Sequence, residues 1–73
     1  MSINEIINNN KGYDPMVIDA NGDYWTLTYF GDWTVETEFG WFTSAEEMNK
    51  QEVKSYRLDE SDKFIYIYIT KSL

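Results

Sequence analysis

Met16-Val17-Ile18-Asp19-Ala20-Asn21-Gly22-Asp23-Tyr24-Trp25-Thr26-Leu27-Thr28-Tyr29-Phe30 is the stretch that decides the fold of this chain. Asn21-Gly22 between two apolar runs is the strongest short hairpin signal, because both residues tolerate the positive φ that a tight hairpin turn demands. Met16 to Ala20 reads as one strand and Asp23 to Phe30 as its return. Upstream, Pro15 sits at the entrance to the first strand. Downstream, Gly31-Asp32 makes the next turn. Trp33 to Phe39 then alternates, with Trp33, Val35, Thr37 and Phe39 on one face and Thr34, Glu36 and Glu38 on the other.

The flanks add helices and terminal strands. Ser2 followed by Glu5 matches a capping box, and Ile3, Ile6 and Ile7 fall on one helical face until Asn8-Asn9-Asn10 and Gly12 end the pattern. Ser44 with Glu47 repeats the capping spacing and opens a second helix carrying Ala45 and Met48. Glu52 to Leu58 reads either as its continuation or as a fourth strand. Asp59-Glu60-Ser61-Asp62 is a turn, and Lys63 to Thr70 is extended. There Phe64, Tyr66 and Tyr68 face one way and Ile65, Ile67 and Ile69 the other, a pattern that suits a central strand or an edge paired in a dimer. These elements predict one α+β domain over residues 1–73. Its antiparallel sheet, a three-strand meander plus a C-terminal strand or hairpin, packs against one or two short helices. A small closed barrel is the alternative.

Composition narrows the chemistry. The 73 residues contain no Cys and no His, which removes disulfides, thiolate zinc sites, imidazole ligands and the common Ser-His and Cys-His nucleophile pairs. No catalytic, cofactor or metal site is expected. A carboxylate pair could in principle hydrolyse a glycoside, but a domain this small has little room for a shielded cleft. Asp19, Asn21 and Asp23 resemble the start of a calcium loop. The glycine comes one place early, and Phe30 stands where the closing Glu belongs. Three Trp, six Tyr and four Phe supply the buried area that a short chain without crosslinks needs. The N-terminus has no basic region followed by an apolar run, and no apolar stretch approaches the ~20 residues that cross a bilayer. The expected location is the cytoplasm.

Thirteen acids against six bases give a formal charge of −7. Such a chain repels nucleic acid and anionic membranes and attracts basic surfaces. Trp25, Tyr29 and Trp33 therefore read as core or protein-contact residues rather than a base-stacking platform. Glu36 and Glu38, two apart on one strand, would sit about 6.7 Å from each other, roughly the spacing of successive phosphates. Asp32 at the preceding turn, and Asp19 and Asp23 flanking the hairpin, would extend that array. Asp59, Glu60 and Asp62 form a second acidic group.

In size, charge, lack of Cys and His, and a short helix followed by a β-meander, the chain resembles the small acidic inhibitors of bacteriophages. That class includes DNA mimics that block HU-type nucleoid proteins, CRISPR nucleases or uracil-DNA glycosylase. The resemblance implies a host-cell protein that occupies the basic DNA-binding surface of a nucleic-acid-binding protein, for preference of the HU type, and competes with DNA. Its partner-binding residues would be Asp19, Asp23, Asp32, Glu36, Glu38, Asp59, Glu60 and Asp62, with no direct nucleic-acid or membrane contact. The competing reading is a non-catalytic interaction module, possible as a homodimer through the Phe64 to Ile69 strand. A small sugar-binding domain using Trp25, Trp33 and Trp41 is a third.

Overall fold

The computed structural model describes residues 2–29, 33–36, 42–43 and 49–72, with side chains described over 2–27 and 49–72. Helix α1 spans Ile3–Asn9. Ser2 caps it from extended backbone, its Oγ accepting the Glu5 N–H at 3.2 Å, so the capping signal is used as the sequence implies. At the other end Asn10 donates through Nδ2 to the Ile6 carbonyl at 2.8 Å and through its N–H to that of Ile7. Gly12 then takes φ +98°, a conformation that favours glycine, and turns the chain into the sheet.

Six strands follow: β1 (Asp14–Ile18), β2 (Tyr24–Tyr29), β3 (Trp33–Glu36), β4 (Phe42–Thr43), β5 (Val53–Asp59) and β6 (Phe64–Ile69). They lie in the order β4-β3-β2-β1-β6-β5, an open sheet rather than a closed barrel. The longer strands β1, β2, β5 and β6 form its body, and β3 and β4 extend one side.

The domain is α+β, as its sequence pattern implies, but the sheet is mixed. The antiparallel meander runs on through β4, and the β5–β6 hairpin returns to lay β6 parallel to β1, pairing Asp14 with Phe64, Met16 with Tyr66 and Ile18 with Tyr68. A sheet built only from antiparallel neighbours is therefore corrected. The reason is burial: β6 is apolar on both sides, and an interior place beside β1 covers both. This also removes β6 as a dimerisation edge, since its two sides are taken by β1 and β5.

Parallel pairing also explains where β1 begins. The Asp14 N–H donates to the Lys63 carbonyl at 2.7 Å, so the strand starts two residues before the expected Met16. Successive backbone groups point to opposite neighbours. Pro15, which has no N–H, therefore turns its nitrogen toward β2, where pairing starts only at Met16. Residues 52–58 form a strand and not a helix. The second helix expected from Ser44, Ala45, Glu47 and Met48 lies outside the described residues. Asn49 is helical, and its Oδ1 accepts the Asn4 N–H at 3.0 Å, which brings the β4–β5 connection to the α1 side of the sheet.

On that side lies the core. Ile3, Ile6 and Ile7 of α1 pack on Val17, Leu27, Ile65, Ile67 and Ile69, with Tyr13, Trp25 and Val53 at its margin. Each fully buried aliphatic side chain contributes on the order of 1.5–3 kcal/mol. On the opposite face the register gathers Met16, Ile18, Tyr24, Phe64, Tyr66 and Tyr68. Ile18 is buried there and the ring of Phe64 lies 5.9 Å from that of Tyr66.

The β1–β2 hairpin forms as Asn21-Gly22 implies, through a connection longer than two residues. Asp19 organises it. The Asp19 N–H donates to the Asp23 carbonyl, and the Gly22 N–H to the Asp19 carbonyl, each at 3.0 Å. Oδ1 of Asp19 accepts from the N–H groups of Asn21 and Asp23, while Oδ2 accepts the Trp25 indole N–H at 3.1 Å. Gly22 adopts φ +83° within the turn. Asp19 is only 5% exposed, so these donors replace the water that its carboxylate would otherwise bind.

Asp19→Ala should therefore cost about 3 kcal/mol, because it strands three donors, two of them backbone. Asp19→Asn, which keeps one accepting oxygen, should cost less. Urea denaturation followed by circular dichroism measures both; midpoints equal to that of the unaltered chain would contradict this role for Asp19.

Candidate functional site

The described acids fall at the two ends of the sheet. β1 and β6 run the same way and β5 runs against them, so one end carries Asp14, the β5–β6 turn and the start of β6. The other carries the Asp19 to Asp23 hairpin. Four residue steps of β1 separate the ends, about 13 Å. The two acidic groups expected to act together are thus apart.

Their members also differ in role. Asp19 is spent inside its turn and offers no free carboxylate to a partner, which corrects its expected place in an exposed array. Asp23 is exposed at the same end. Glu36 closes β3 opposite Thr26 and Phe42, but its side chain lies outside the described residues, as do Asp32 and Glu38 altogether.

Asp59, Glu60 and Asp62 lie together in the β5–β6 turn. Asp59 holds that turn, its Oδ1 accepting the Ser61 N–H at 3.1 Å and the Asp62 N–H at 3.2 Å. Glu60 accepts the Tyr13 hydroxyl at 3.3 Å. The Asp62 carboxylate is exposed. Lys63 completes the turn at φ +58°, a left-handed conformation uncommon outside glycine and asparagine, with Nζ 5.3 Å from the centre of the Tyr13 ring.

Asp14 joins this group, and the sequence reading missed it. Asp14 and Asp59 both sit in register with Phe64, one strand to either side, which sets their backbones about 10 Å apart. Nothing local marks Asp14. Only the parallel pairing of β1 with β6 carries it to the turn. The end thus presents four carboxylates, one lysine that offsets part of their charge, and the rings of Tyr13 and Phe64. Ionised carboxylates accept hydrogen bonds and donate none, so this surface is matched to Lys, Arg or backbone N–H donors. Among the described residues no group of three acids converges as a metal would require, and no helix is long and apolar enough to cross a membrane.

Behind the acids, Arg57 of β5 lies over the open face. Its guanidinium carbon is 4.3 Å from the centre of the Tyr66 ring, and Nε donates to the Tyr68 hydroxyl at 3.1 Å. That hydrogen bond pushes the Arg57 pKa above its ordinary value, with the charge of Asp59 acting in the same direction. Arg57 is thereby folded back onto β6 and away from the outer side of β5.

Asp59→Ala should lower stability by about 1 kcal/mol through loss of the turn bonds, while Asp62→Asn should leave it unchanged within about 0.5 kcal/mol. Equal urea midpoints for the two variants would contradict the division between a turn-forming acid and a free one. Compared with protein-family models, with curated proteins and with solved structures, the chain matches none.

Proposed function

We propose that this is a non-catalytic binding protein that presents its acidic sheet end to the basic DNA-contacting surface of a nucleic-acid-binding protein and competes with DNA there. The observation that carries the reading is the gathering of Asp14, Glu60 and Asp62 around the Asp59 turn, from two distant parts of the chain, beside Tyr13 and Phe64. A rigid sheet holds these carboxylates at fixed spacing, so little side-chain order is lost on binding. The excess of acids over bases in the whole chain adds long-range attraction. Asp23 at the far end contributes to that field rather than to the contact. An HU-type nucleoid protein remains the preferred target and the host cytoplasm the expected place of action. Both follow from the resemblance of the chain to phage inhibitors.

The competing reading is an interaction module whose charge serves solubility alone. Competition separates the two. In fluorescence anisotropy with labelled duplex DNA bound to an HU-type protein, the chain should displace DNA, and added salt should weaken its grip. The triple variant Asp14→Asn, Glu60→Gln and Asp62→Asn should bind at least about tenfold more weakly, a loss of about 1.4 kcal/mol. It leaves the Asp59 turn intact. Displacement that survives these substitutions, or that does not respond to salt, would overturn the reading.

A further inference from the structure

We infer that the outer side of β5 is a self-association edge, on which a second copy of this chain adds its own β5 antiparallel. This inference does not rest on the competition with DNA proposed above. Among the described residues β5 is the seven-residue strand at one end of the sheet order, with β6 as its hydrogen-bonded neighbour. Its free side therefore carries a row of unpaired backbone groups, a template for another strand. Edge strands are commonly blunted by a bulge or by charge. Here the irregularity lies between Val53 and Ser55, and residues 55–59 keep an unbroken register with β6. Arg57 leans inward onto Tyr66 and Tyr68, which clears the edge.

Two further features single out a second copy as the occupant. Tyr56 and Leu58, in register with the core residues Ile67 and Ile65, are 40% and 38% exposed and extend the apolar side of the sheet beyond α1. An identical strand would continue that apolar strip. The charges along β5 and its turn are also ordered: Lys54 and Arg57 come first, then Asp59, Glu60 and Asp62. Antiparallel pairing lays the basic half of one copy against the acidic half of the other, twice over by symmetry. A parallel arrangement would set like against like.

Symmetry restricts the register. A two-fold axis through a continuous sheet keeps each side chain on its own face, so one residue must pair with itself. An axis at Arg57 would oppose two guanidinium groups. An axis at Leu58 sets leucine against leucine, Arg57 against Asp59 of the second copy, and Lys54 against Asp62 of the second copy. Because Asp59 and Asp62 also belong to the acidic sheet end, the dimer and a basic partner would compete for them.

Sedimentation of the chain alone at physiological salt, from micromolar to millimolar, tests this. The expected result is a rise in mass from monomer to dimer. Lys54→Glu should weaken dimerisation at least about tenfold, Lys54→Glu with Asp62→Lys should recover it, and Lys54→Glu with Asp23→Lys should not. The two double variants carry equal net charge, so only the position of the swap differs. A monomer throughout, a dimer indifferent to Lys54→Glu, or recovery by both double variants would overturn the inference.

Discussion

The structure depends on the parallel pairing of β1 with β6 beneath α1. Val17, Ile65 and Ile67 meet there and are wholly buried, and the isoleucines of the helix close over them. The chain has no disulfide to join its two halves, so this seam does that work through packing alone. It is also non-local: Asp14 meets Phe64 only after the intervening strands have left β1 and returned. Such contacts are slow to form, because loop-closure entropy is lost before burial compensates for it.

The same seam builds the candidate site. Without it, Asp14 would be an isolated acid before a proline, and the 59–62 turn an ordinary polar hairpin tip. With it, carboxylates from both ends of the sequence share one end of the sheet and flank Phe64. The charge of the chain thereby acquires a direction. The aromatic rows of β6 serve both faces in turn: Ile65, Ile67 and Ile69 go to the core, while Tyr66 and Tyr68 fix Arg57 on the open side.

What was legible in the sequence was what neighbouring residues decide. Ser2 and Glu5 marked the helix start, Asn21-Gly22 the hairpin, and alternation in residues 64–69 a strand apolar on both sides. Partnership between distant strands was not legible, because no local signal encodes register across an intervening meander. Hence β6 read as well for an edge as for an interior strand, and Asp14 went unremarked. Asp19 was misread for a related reason. A carboxylate beside a hairpin looks like surface charge until the Trp25 indole and two backbone donors are seen to converge on it. The sequence spacing of Asp19, Asn21 and Asp23 was real, and the ligands it serves are backbone N–H groups.

The central claim is that the end of the sheet assembled by β1 and β6, and not the hairpin end, meets a basic partner. Amide chemical-shift mapping of the isotopically labelled chain, titrated with an HU-type protein, addresses it most directly. The account predicts shifts concentrated at Asp14 and at residues 59–64, with the amides of Asn21, Gly22 and Asp23 nearly unmoved. Shifts centred on the 19–23 hairpin, or spread evenly over both ends, would contradict it.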